Sequence, residues 1–425
     1  MKIAVLGLWH LGCVTAACAA KHFKVTGLDF DPDNVAHLRK GKAPLFEPRL
    51  DDLIQEGIQS GRLQFTGDIP TACGTADILW VTYDTPVDDN DEADVESVLR
   101  AIRRCVPALP AGALVLLSSQ LPVGTCRQLE GEFGGQGYRF ACTPENLRLG
   151  KAIEIFTKAD RIIAGYRDEK ARAQLTELFA PFTSQVVWMR SESAEMTKHA
   201  INSFLAVSIT FMNEVARICE ATGADAKEVE RGLKSESRIG PKAYLSPGGA
   251  FAGGTLARDV VTFSRLGEKF GESLEVLPAI KRSNDRHRRW AQEKLLKLFA
   301  GTTHRKVALL GLTYKPGTNT LRRSSAIELA SALHAQGIAV SAWDPAQPVI
   351  PPECSFIQLQ ADAFAAADGA DALVICTEWP EFRQLDWPTL VGRLRQPWVL
   401  DASRFVEKAT AGLAGLHYIT VGSPS

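Results

Sequence analysis

Short apolar runs that stop at glycine or aspartate alternate with helical periodicities along residues 1–190. The pattern predicts strands over Lys2–Leu6, Lys24–Leu28, Asp77–Thr82, Ala113–Ser118, Tyr138–Thr143 and Arg161–Gly165, with a first helix over Cys13–His22. Strands alternating with helices describe a doubly wound α/β unit. From Ser193 to Thr222 the pattern changes to one long helical stretch almost free of Gly and Pro, and Asp225–Leu233, Thr255–Phe270 and Glu272–Phe299 continue it. A helix that is apolar on several sides is buried against another chain or domain more often than it is solvated, so the long helix is the expected homodimer contact. Near Lys306 the first rhythm returns: Lys306–Leu310 ends at Gly311, a helix covers Ser325–Gln336, and Ile338–Trp343 ends at Asp344, with further strands at Asp371–Thr377 and Trp398–Asp401. The expected organisation is an N-terminal α/β domain over 1–190, a central helical domain over 191–300 and a second α/β domain over 301–425.

Bulk properties narrow the class. A chain of 425 residues exceeds a single core. Its formal net charge of -1 and the lack of a Lys/Arg block argue against nucleic acid and anionic membranes as partners. The nine cysteines are scattered, odd in number and form no C-x-x-C pair, which fits reduced thiols in the cytoplasm and no metal site. The apolar start stops at Gly7, too short for a signal peptide, and no run approaches the ~18 residues of a membrane helix.

The first strand-to-helix turn carries Gly7-Leu8-Trp9-His10-Leu11-Gly12, with Asp29 at the end of the next strand. A dinucleotide loop wants G-x-G-x-x-G with an acid about 20 residues on. The first and last glycines and the acid are present, and the middle glycine is Trp9. Two readings stand: an altered cofactor loop that still works, or a turn that no longer holds a dinucleotide because an indole occupies the space of the pyrophosphate.

Further motifs follow in order: Leu45-Phe46-Glu47-Pro48, Asp84-Thr85-Pro86, Ser119-Gln120-Leu121-Pro122-Val123-Gly124-Thr125, Thr143-Pro144-Glu145-Asn146-Leu147, Ala194-Glu195-Met196-Thr197-Lys198 to Asn202, Ala250 to Asp259, and Gly311-Leu312-Thr313-Tyr314-Lys315-Pro316 with Leu321-Arg322. In sequence and spacing these resemble the UDP-glucose/nucleotide-sugar 6-dehydrogenase family over nearly the whole chain. The resemblance implies two Rossmann-like halves joined by a helical domain, NAD as cofactor, a UDP-sugar as substrate and a homodimer. It implies oxidation of a sugar hydroxymethyl to a carboxylate through an aldehyde held on a cysteine.

The resemblance places the cofactor contacts at Gly7, Trp9, Leu11, Gly12, Asp29, Thr85, Pro86 and Gln120. It gives Glu145 base or water-positioning work, and Lys198 and Asn202, four apart on one helix face, the task of steadying the oxyanion and the water. Lysine suits a site where negative charge develops. Substrate contacts fall on Leu147, Arg238, Tyr244, Ser246, Gly253, Lys315 and Arg322; charged, fork-like donors suit phosphates. Away from the family, Lys198 and Asn202 read as a surface lysine and a helix-face amide, Glu145 as a solvated loop acid, and the basic residues as surface charges.

The reaction centre departs from the family. Thr255 stands where the nucleophilic cysteine is expected and Arg258 where a lysine is, while Asp259 is retained. Gln120 replaces a threonine and Leu149 a glutamate. A thiol ionises near pH ~8.5, whereas an alkyl hydroxyl needs a dedicated base. The expectation is therefore an NAD-dependent oxidoreductase with altered chemistry, with Glu145, Lys198, Asn202, Thr255 and Asp259 as its catalytic set. The alternative is a non-redox nucleotide-sugar-binding, regulatory or epimerase-like descendant. Cys142, three residues before Glu145, is a remote candidate for a displaced thiol.

Overall fold

The computed structural model describes residues 1–85, 94–145, 147–252, 255–302 and 305–424. They form two compact units, Met1–Ile201 and Asn202–Ser425. The mixed α/β class with a helical middle is as the sequence predicts.

The first unit is built on an eight-stranded sheet: β1 Lys2–Leu6, β2 Lys24–Leu28, β3 Leu63–Thr66, β4 Ile78–Val81, β5 Leu114–Leu117, β6 Arg139–Cys142, β7 Ile162–Tyr166 and β8 Val186–Arg190. The spatial order is β3-β2-β1-β4-β5-β6-β7-β8. All pairs are parallel except β6 with β7. The central strands are buried on both faces, which is why they read as unbroken apolar runs. Strand order reverses between β1 and β4, so the crevice at their carboxyl ends is the natural ligand position.

The second unit has six parallel strands: β9 Lys306–Leu310, β10 Ala339–Trp343, β11 Ile357–Leu359, β12 Ala372–Ile375, β13 Trp398–Asp401 and β14 His417–Ile419. Their order, β11-β10-β9-β12-β13-β14, repeats that of the first six strands of the other sheet. Ahead of it lie the helices Ala226–Ser235, Thr255–Phe270, Val276–His287 and Trp290–Leu298. The pattern over Glu272–Phe299 thus divides into two helices. The long helix Ser191–Thr222 carries the boundary between the units. None of the helices among the described residues is long and apolar enough to cross a membrane.

Both sheets use one device at the first turn. Gly7 (φ +92°) and Gly311 (φ +87°) end their strands in the left-handed region, where a side chain is strained. The acid ending the next strand accepts the following amide: Leu8 N donates to Asp29 Oδ2 at 2.7 Å, and Leu312 N to Asp344 Oδ2 at 2.6 Å.

Candidate active site

The two turns differ in what they leave open. Helix His10–Ala19 begins at Trp9 with no side-chain cap and no acid in its first turn. Its leading N–H groups and dipole are available to an anion. Asp29 is half-buried and also accepts from Asp31 N at 3.0 Å and Asn34 Nδ2 at 3.3 Å. In the second unit, Ser324 caps helix Ser325–His334 by accepting from Ala326 N and Ile327 N, and it donates to Leu312 O at 2.6 Å. Asp344 is fully buried and takes Thr313 N, the Thr313 hydroxyl and the Trp379 indole N–H as well. Its carboxylate is committed to the protein. The residues of the first turn suit a dinucleotide, and those of the second do not.

Trp9 has extended backbone (φ -84°, ψ -157°) and a 47% exposed side chain. Position 9 therefore needs no glycine for its own conformation. The motif's middle glycine serves the ligand's approach, and that is where an indole bears. Gly12, by contrast, packs so tightly that an added Cβ would lie 1.9 Å from Gly7 O.

Around the ends of β4 to β6 the first unit gathers several predicted residues. Thr85 is buried and its Oγ1 donates to Gln120 O at 2.8 Å. Gln120, Glu145 and Lys198 line one small cavity of about 30 Å³. Lys198 Nζ donates to Glu145 O at 2.7 Å. Leu147 N donates to Glu145 Oε2 at 2.6 Å, which turns that carboxylate back along its own loop. Leu11, Glu145 and Leu147 also border a cavity of about 90 Å³. Pro86 lies outside the described residues.

In the second unit, Asn202 is buried and its Nδ2 donates to Asp259 Oδ2; Asp259 is fully buried. Thr255 is exposed at the first position of helix Thr255–Phe270, one turn before Asp259 on the same helix. Gly253 lies outside the described residues. Arg238, Tyr244, Ser246 and Arg322 are exposed and Lys315 half-buried. Ser246 Oγ accepts from Lys227 Nζ at 2.7 Å, and Tyr314 N closes the following loop on Thr320 O at 2.9 Å.

A cavity of about 320 Å³ in this unit is lined instead by Gly249–Ala252, His287, Ser325, Cys376, Glu378 and Ser403, among others. None of the predicted substrate residues is among its lining. Its wall includes the ends of β12 and β13, which strand topology alone would have indicated. Three buried side chains missed by the sequence reading hold the loop that leads to Thr255. Asn213 accepts from Gly248 N and donates to Gly249 O. Asn284 accepts from Phe251 N and donates to Phe251 O. His287 Nε2 lies 2.8 Å from Gly248 O and donates to it. A buried amide in mid-helix was the available signal.

Burial pushes the His287 imidazole below its ordinary value of 6.5, against the opposing bond to Gly248. Protonation is then easier in the unfolded chain. The resulting stability is complete above about pH 6.5 and falls as pH drops below it. A His287→Asn variant is expected to show a shallower loss of Tm between pH 6.5 and 5 than the parent, measured by calorimetry; equal slopes would refute the assignment.

The cysteines are all free thiols. Cys142 is buried at the end of β6 with Sγ 3.3 Å from Ser191 O. Cys126, Cys142 and Glu195 approach within 4.8 Å of one another. Glu195 accepts from Gly124 N at 2.6 Å and Cys126 N at 2.9 Å, which anchors the start of helix Thr125–Phe133. Cys376 borders the second unit's cavity, and burial pushes its thiol up to about 12.

Comparison with known proteins decides the family. Models of the UDP-glucose/GDP-mannose dehydrogenase family match residues 1–183 (NAD binding domain), 192–286 (central domain) and 308–408 (UDP binding domain). The chain belongs to this family. It is an NAD-dependent dehydrogenase of nucleotide sugars. The UDP-glucose 6-dehydrogenase of Pseudomonas aeruginosa is 34% identical, over 100% of this chain and 98% of its own. UDP-glucose 6-dehydrogenase TuaD of Bacillus subtilis is 32% identical, over 100% and 94%. The structure of a UDP-glucose dehydrogenase from Pyrobaculum islandicum matches with a TM-score of 0.87 at 32% identity, covering 99% of this chain and 98% of the other.

Proposed function

We propose that this dehydrogenase oxidises the C6 hydroxymethyl of a UDP-sugar of glucose type by one hydride transfer, giving the aldehyde, NADH and a proton, with no covalent enzyme intermediate. The observation that carries this reading is Thr255, an exposed hydroxyl on helix Thr255–Phe270 at the position where the family resemblance expects the cysteine. An unactivated hydroxyl forms no stable adduct with an aldehyde at neutral pH. NAD, when bound, accepts the hydride.

The chain's own residues supply the rest. Gly7, Trp9, Leu11, Gly12, Asp29, Thr85, Pro86 and Gln120 receive the cofactor. Lys198 and Asn202 stabilise the developing alkoxide, and Glu145 takes the proton or holds water. Asp259 fixes the Asn202 amide through their hydrogen bond. Lys315 and Arg322 meet the phosphates and sugar, with Leu147, Arg238, Tyr244, Ser246 and Gly253 along the substrate. Pairing through the long helix suits its exposed Phe204, Phe211 and Ile218, which repeat every seven residues in one stripe, and makes the protein a homodimer.

Incubation of the purified protein with NAD and a panel of UDP-sugars is expected to give one NADH per sugar, an aldehyde trapped as its oxime, and no mass added to the protein. Two NADH and a carboxylate would overturn the single transfer. No NADH from any sugar, together with no rise in Tm on adding NADH, would favour the non-redox alternative, for which the indole at position 9 is the specific ground.

A further inference from the structure

Glu47 is the one buried acid in the loop between helix Pro32–Arg39 and helix Leu50–Gln59, with its side chain 1% exposed. Three groups from two distant segments meet on it. His10 Nε2, on the first residue of the cofactor-loop helix, is 2.9 Å from Oε2. Gly150 N donates to the same oxygen at 2.7 Å, and Ala152 N donates to Oε1 at 2.9 Å. A carboxylate has about four lone-pair sites and no donor, so Nε2 is the donor. The carboxylate is thereby nearly saturated, and a bond lost on one side leaves a buried acceptor underpaired.

The two segments so joined have different tasks. Residues 7–12 form the turn that suits the dinucleotide. Residues 147–152 follow Glu145 and lead into helix Ala152–Thr157, whose first residue Glu47 holds. Leu147 N is itself bonded to Glu145 Oε2 and Lys151 N to Arg148 O at 3.0 Å, so a path of hydrogen bonds and chain runs from His10 through Glu47 to the residues after Glu145. The His10 side chain is 15% exposed and its Glu47 contact is side chain to side chain, so it is the replaceable link of the path. Gly150 is in the left-handed region (φ +87°), a turn that depends on its neighbours to hold its shape.

We infer that His10 is a positioning residue: through Glu47 it couples cofactor binding at residues 7–12 to the ordering of residues 147–152. This rests on the reading that NAD binds at that turn. When the loop is ordered by the cofactor, Glu145 is held in place before substrate arrives. Linkage makes the effect reciprocal, so ordering the loop also tightens the cofactor.

Hydrogen exchange of the full-length protein with and without NADH tests this directly and needs no turnover. In the parent, NADH is expected to slow exchange severalfold in peptides covering 7–13 and also in those covering 147–152. In His10→Ala, NADH still protects 7–13, but protection at 147–152 is lost, and in His10→Gln, which keeps an N–H donor, it returns. Equal protection of 147–152 in His10→Ala and the parent overturns the coupling, as does NADH protecting 7–13 in the parent with no effect at 147–152. If NADH fails to protect 7–13 in the folded parent, the cofactor-loop reading itself fails, a result distinct from the other two.

Discussion

Replacing Lys198 by methionine is expected to lower kcat by about two to three orders of magnitude while KM for NAD changes by no more than about twofold. The argument begins with geometry. Lys198 lies on helix Ser191–Thr222 and borders the cavity that Gln120 and Glu145 also line. Its ammonium is held 2.7 Å from Glu145 O, so it stands at the end of β6. Oxidation of an alcohol places negative charge on the hydroxyl oxygen as its proton is removed, before the hydride has moved. A preorganised cation at that oxygen strengthens in the transition state more than in the ground state. Methionine keeps the stem and its packing and removes only the charge and the donor. Steady-state kinetics with the UDP-sugar that turns over reads the effect. A variant within about threefold of the parent kcat would show that Lys198 does not stabilise the reacting oxygen.

Much of this arrangement is legible in the sequence because strand ends carry their own punctuation. Gly7 and Gly311 end β1 and β9, and Asp29 and Asp344 end β2 and β10, each following a buried apolar run. The helix Thr255–Phe270 is predicted to the residue. What escapes is short or remote. β3, β11 and β14 have only three or four residues and too little alternation to read, and β8 is partly exposed. The Glu272–Phe299 pattern divides near Arg288 and Arg289, at a turn that no Gly or Pro marks. Periodicity finds faces, and it is blind to a hydrogen bond between residues far apart. Glu47 on Ala152, Asn213 on Gly248 and Asn284 on Phe251 are all of that kind.

Trp9 and Asp344 show what the motif positions report and what they leave open. The backbone at Trp9 accepts an indole without strain, while the room left for a pyrophosphate depends on where the side chain lies when the ligand approaches. The strand-Gly, strand-Asp echo in the second unit repeats the architecture, yet there Ser324 caps the following helix and Trp379 bonds the acid. The functional difference between two similar folds lies in which polar groups remain uncommitted, and residue identity at the motif positions does not report that.

Gly12→Ala tests the same turn from the packing side, and the expected loss is about 3 kcal/mol in the stability of the first unit, the upper end for overpacking. The added Cβ would lie 1.9 Å from Gly7 O and 2.8 Å from Thr82 Oγ1. Neither neighbour can give way cheaply. The Gly7 carbonyl accepts from Thr82 Oγ1 at 2.9 Å, and that hydroxyl also lies 3.1 Å from Leu6 O, so the strand end, the hydroxyl and the helix are locked together. Relief requires helix His10–Ala19 to move off β1, and the amides that would meet the pyrophosphate move with it. For a unit of this size the loss corresponds to a fall in Tm of roughly 6–12 °C. NADH should also lose most of its ability to raise that Tm. Calorimetry with and without NADH separates the two effects. A variant that melts with the parent and is equally stabilised by NADH would mean that the close approach of helix and strand is not required for either.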